Sequence, residues 1–203
     1  MILHTRPRPT RYKRRTILGG LAATGVFPIA VSAIEPPPSP PVFHGQARQY
    51  TELRPPMSAP IAPFFDAEEQ PYDISAWRGK IVLLSFWATW CVPCVWEMPI
   101  LDRLEGKMGG DNFAVVPIAL DEDGLAAVPR AKAFYARVGI TQLPLLFDPS
   151  GLVFEAYRSV NRVGMPMSYV LDRASRLRGY LIGPAEWDSR EANALLQHYL
   201  SAA

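Results

Sequence analysis

Cys91 and Cys94 are the only cysteines in this 203-residue chain, and they are spaced CxxC. Two thiols this close suit a dithiol–disulfide couple: one attacks a sulfur of a partner and the other resolves the mixed disulfide. A CxxC can also be half of a zinc site. Here no histidine lies near it in sequence, so four ligands would have to be gathered from distant His or carboxylates. A static structural bridge between such near neighbours removes little chain entropy. Redox exchange is the chemistry these residues favour.

The flanking elements must position the pair. Ile81-Val82-Leu83-Leu84 is an unbroken apolar run, the pattern of a strand buried on both faces. Beyond it, Cys94, Met98, Leu101, Leu104 and Met108 recur on one helical face. The cysteines therefore stand where a buried strand gives way to a helix. A helix N-terminus carries about half a positive charge and unpaired N–H groups, both of which favour thiolate over thiol. Cys91 is thus expected to be the nucleophile with a lowered pKa. Cys94, one turn deeper and facing the core, suits the resolving thiol, and Pro93 fits the first turn.

The string Phe86-Trp87-Ala88-Thr89-Trp90-Cys91-Val92-Pro93-Cys94, followed by Glu97-Met98-Pro99, resembles the thioredoxin superfamily. Within it the closest resemblance is to the TlpA/ResA-like periplasmic thiol–disulfide oxidoreductases, over about residues 60–200. The resemblance implies an α/β, thioredoxin-like sandwich with a mixed central sheet of about five strands flanked by helices. It implies a redox-active disulfide between Cys91 and Cys94 and a cis peptide at Pro166, facing the dithiol. Pro166 and Met165 would then line the groove where a substrate chain pairs by strand addition, with Trp90 and Pro93 as further substrate contacts. Trp87 and Trp90 are expected to flank the dithiol. Ser85 stands where thioredoxin carries a buried aspartate, and a hydroxyl cannot do that work. Glu97, three residues after Cys94, is on a neighbouring helix face and is the candidate base for Cys94. Its alternative is a solvent-facing charge near the helix start.

What this implies for function is a protein disulfide reductase acting on exported clients with cysteine pairs, needing no cofactor or metal. It would be recharged by a membrane thiol-electron carrier and work as a monomer. The clients implied are apocytochrome c or copper-site proteins of respiratory oxidases. Two alternatives stay open: a disulfide oxidase or isomerase with the opposite electron flow, and a copper-holding dithiol chaperone.

Charge is distributed unevenly. Arg6, Arg8, Arg11, Lys13, Arg14 and Arg15 come without an acid in the first 34 residues, whereas residues 35–203 carry a net −4. The formal +2 of the whole chain is therefore a leader, and it gives no reason to expect nucleic-acid binding. Residues 1–33 read as a twin-arginine-like signal peptide, with Val31-Ser32-Ala33 as a small-residue cleavage site. The competing reading keeps residues 17–34 as an inner-membrane anchor. Either implies a periplasmic domain. Residues 34–59 read as a Pro-rich, polyproline-like linker unable to build a core, ahead of a thioredoxin-like domain at 60–203. His4, His44 and His198 read as surface imidazoles.

Within that domain, Phe64-Phe65-Asp66 and Tyr72-Asp73-Ile74 suggest a hairpin, and Ser75 a turn cap. Residues 113–120 read as a second parallel strand, and 125–138 as a helix. Asp121-Glu122-Asp123 reads as a solvated loop, or else a cation site. Residues 168–171 and 177–182 suggest an antiparallel hairpin. Asp188-Ser189-Arg190-Glu191 reads as a capping box for a final helix.

Overall fold

The computed structural model describes residues 38–159 and 164–202. The chain enters the sheet at β1 (Thr51–Ser58), then forms the hairpin of β2 (Phe64–Asp66) and β3 (Pro71–Tyr72). A 3-10 turn, Ile74–Trp77, leads into β4 (Ile81–Trp87). Then come α1 (Val92–Met108), β5 (Phe113–Ala119), a second 3-10 turn at Gly124–Ala127 and α2 (Val128–Val138). The chain closes with β6 (Leu146–Phe147), α3 (Leu152–Arg158), β7 (Met167–Leu171), β8 (Arg176–Ile182) and α4 (Arg190–Ser201).

These strands form one mixed sheet in the order β1-β8-β7-β4-β5-β6-β2-β3. Every residue of β4 and β5 is buried, as a strand covered on both faces requires. They pair in parallel from Ile81↔Phe113 to Trp87↔Ala119, with α1 as the crossover, and β7 pairs antiparallel on the other side of β4. Alternation along β4 divides the core. Ile81, Leu83 and Trp87 face α1, α2 and α4, and Val82, Leu84 and Phe86 face α3 and the Ile74 turn.

The fold differs from the sequence expectation at its front. Residues 1–37, with the signal-peptide or anchor reading, lie outside the described residues. The rest of the expected linker is integral to the domain. Phe43 is 2% exposed, its ring 5.0 Å from that of Trp187, and the Tyr50 hydroxyl donates to the Tyr199 hydroxyl at 3.1 Å. β1 pairs antiparallel with β8. Prolines are tolerated there because β1 is an edge strand, and its register breaks between Glu52 and Met57, where Pro55 and Pro56 fall. Together with β2 and β3, this strand enlarges the expected sheet of about five strands to eight.

Two caps also differ. Asp73, not Ser75, opens the first 3-10 turn, accepting from the Ser75 N–H at 2.7 Å. Ser189 caps α4 by accepting from Ala192 N at 3.1 Å, whereas Asp188 is drawn to Arg103 of α1 at 2.8 Å.

Candidate active site

Cys91 is the N-cap residue of α1, with Pro93 just inside the helix. Its own side chain makes no capping hydrogen bond, so it leaves the first N–H groups of the helix without a side-chain partner from the N-cap. Cys91 and Cys94 are joined as a disulfide, with Cα atoms 5.2 Å apart. Cys91 is 7% exposed and Cys94 1%, so a partner can reach only the first. Cys91 opens onto a hollow of about 450 Å³ lined by Trp90, Pro93, Phe154, Arg158, Gly164 and Met165. Trp90 is 58% exposed at its rim.

The Met165–Pro166 peptide is cis. Met165 lines the hollow, whereas Pro166 is buried and forms no part of the wall. The Pro166 carbonyl accepts from Gly183 N at 2.9 Å, which ties this segment to the end of β8. Trp87 also departs from expectation. It sits on the α2 side of β4, buried, with ring centroids 5.5 Å from Phe134 and 5.9 Å from Tyr135. It supports the motif from within instead of flanking the sulfurs in the groove.

Glu97 is 1% exposed, which removes the reading of a solvent-facing charge. Its Oε1 accepts from Ala185 N at 2.9 Å and from the Trp187 indole Nε1 at 3.0 Å. Burial pushes its pKa up to about 8, against the opposing pull of these two donors. A carboxyl that changes charge near neutrality thus stands one helical turn beyond Cys94. Trp187 and Ala185 are site residues that sequence reasoning left in an unassigned loop. The available signal was a tryptophan in a polar loop, since a buried indole N–H needs an acceptor.

On the other side of the motif, Asp121 is buried, not solvated. Its Oδ2 accepts from Thr89 N at 3.2 Å, and its Oδ1 accepts from the Thr89 hydroxyl and, at 3.1 Å, from Arg130 Nη2. The cation beside this acidic run is a guanidinium from α2. Ser85 is fully buried opposite Ser168 on β7, and neither hydroxyl has a hydrogen-bond partner among the described residues.

A mixed sheet whose central strand delivers a CxxC pair to a helix N-terminus, beside a cis-proline segment, defines a thioredoxin-like protein of the thiol–disulfide class. The chain belongs to the AhpC/TSA family, whose model matches residues 53–179. It is 33% identical over 106 residues to the thioredoxin-like protein YneN of Bacillus subtilis, a match covering 52% of this chain and 58% of that protein. To the thiol-disulfide oxidoreductase ResA of Geobacillus thermodenitrificans it is 28% identical, over 62% of this chain and 68% of the relative. Among solved structures, it is similar to a candidate thiol:disulfide interchange protein DsbE from Chlorobium tepidum. That likeness has a TM-score of 0.60 and 27% identity, and covers 72% of this chain and 97% of that one.

Proposed function

We propose that this protein is a thiol–disulfide oxidoreductase that reduces disulfides in exported client proteins. The observation that carries the reading is the asymmetry of the pair: Cys91 caps α1 and opens onto the hollow, while Cys94 is buried one turn in. In the reduced protein, the Cys91 thiolate attacks one client sulfur. The client disulfide breaks, and its second sulfur leaves as a thiolate that takes up a proton. Cys94 then loses its proton to Glu97 and attacks Cys91. The mixed disulfide breaks, the Cys91–Cys94 disulfide forms, and the client's first sulfur leaves as a thiolate that takes up a proton from solvent, so the client departs as a dithiol. Two electrons have passed from protein to client. A membrane thiol carrier would return them, because an exported compartment is kept oxidising.

Trp90, Pro93 and Met165 supply the client contact, with Pro166 holding the segment that presents Met165. The clients we propose are proteins with cysteine pairs in cytochrome c or oxidase copper-site assembly. No helix among the described residues is long and apolar enough to cross a membrane, so location rests on the basic leader.

The reduction potential tests the direction of electron flow. Equilibration with glutathione buffers is expected to give a value near about −270 mV, and one near about −120 mV would make the protein an oxidase. Copper retained by the reduced protein through gel filtration would favour a metal-holding dithiol. A Cys94→Ser variant expressed in the native host should trap clients as mixed disulfides on Cys91.

A further inference from the structure

We propose that Asp121 and Arg130 are a positioning pair that holds the Thr89–Trp90 turn and balances charge beside Cys91, and so governs attack by the Cys91 thiolate. The inference rests on the exchange reading above.

Thr89 is two residues before the nucleophile, in the turn that carries Trp90 from β4 to α1. Its backbone N–H and hydroxyl both go to the Asp121 carboxylate, at the end of β5. The Thr89 hydroxyl is also the acceptor for Arg130 Nε at 3.0 Å. Arg130 therefore grips three groups: Thr89, the Asp121 carboxylate, and Asp123, which it meets at 3.1 Å. Trp90 and Arg130 share the walls of two shallow hollows beside the turn. Three elements thus converge on the residue pair that sets where Trp90 and Cys91 stand.

The electrostatics have a definite sign. The Asp121 side chain is 0% exposed, whereas that of Arg130 is 50% exposed. The anion is fixed and unscreened, and its counter-charge comes from a surface side chain that can be changed without opening the core. With both present, the carboxylates on this side, Asp121 and Asp123, are partly balanced by the guanidinium. Without Arg130, Cys91 meets an anion, which disfavours thiolate. Without the Asp121 charge the field is less negative, because Arg130 is then balanced by Asp123 alone, and this favours thiolate. The other charged groups around the motif are Glu122 and Asp123 on the same turn, the buried Asp148 after β6, Arg137 on α2, Arg158 on α3 and the buried Glu97 on α1.

The test is the rate of Cys91 alkylation by iodoacetamide in the reduced full-length protein, followed across pH 5–10. Arg130→Met is expected to slow labelling at pH 7 about threefold to tenfold and to move the profile to higher pH. Asp121→Asn is expected to move it the other way, the double variant to lie near wild type, and Arg130→Lys to recover part of the loss. Profiles that do not move in folded variants overturn the proposal. So do single variants that both slow labelling, because a slack turn has no sign. Opposite shifts uphold it even if wild-type protein fails to reduce insulin, in which case the exchange reading alone falls.

Discussion

The indole of Trp187 donates its N–H to the Glu97 carboxyl at 3.0 Å, across 90 positions of sequence. This bond, with that from Ala185 N, ties a buried acid of the cysteine helix to the loop after β8 and restrains the rise in its pKa. Glu97→Gln keeps the size and an acceptor oxygen but removes the ionisation. Stopped-flow measurement should show attack by Cys91 little changed and release of the mixed disulfide slowed about tenfold to a hundredfold. The step in the release rate near pH 8 should vanish. Unchanged release at every pH would leave Glu97 a purely structural acid.

The same carboxyl makes stability depend on pH. The unfolded chain gives up the Glu97 proton near 4.5, and the fold holds it to about 8. Between those values the folded state binds the extra proton, so stability falls as pH rises through the window and levels off above it. The change is on the order of a few kcal/mol, and Glu97→Gln should flatten it. Urea midpoints of the oxidised protein at pH 5 and pH 8 measure the slope directly.

Trp187→Phe removes one of the two donors that favour the charged acid. The Glu97 pKa should rise further, moving the release profile to higher pH while attack by Cys91 holds. Loss of the buried hydrogen bond should also destabilise the fold by about 1–3 kcal/mol, read from chemical denaturation.

Gly179 is where β8 lets β1 approach. A Cβ there would run into the Tyr50 ring and the Thr51 carbonyl. Gly179→Ala should cost about 2 kcal/mol or more, since backbone cannot step aside as a flexible side chain can. A melting temperature equal to wild type would show that β1 is not needed by the domain.

Trp90 is exposed at the rim of the hollow, so its loss should be felt by clients and not by the core. Trp90→Ala should slow attack on a peptide disulfide about fivefold or more while leaving the melting temperature in place. Equal slowing with a small-molecule disulfide would mean that the indole acts on Cys91 and not on the client.

The sequence by itself determined the centre of this protein. An unbroken apolar run, a CxxC and a helical stripe are local patterns whose periods leave one arrangement: a buried strand delivering two thiols to a helix N-terminus. The 164–166 segment and Glu97 were legible as candidates through the family resemblance, but not their surroundings. Tertiary structure decided which residues that look alike in sequence are buried. Asp121 and Glu122 are adjacent acids, yet only Asp121 turns inward to Thr89 and Arg130. Trp87 and Trp90 share one motif, but the first ends the buried strand β4 and packs into the core, whereas the second stands in the turn beyond it, at the rim. Proline-rich residues before position 60 read as linker because composition cannot show that an edge strand accepts prolines where its ladder is broken. Trp187 was silent because it lies in a loop and its acceptor is on α1, 90 positions earlier, so only the tertiary fold brings donor and acid together.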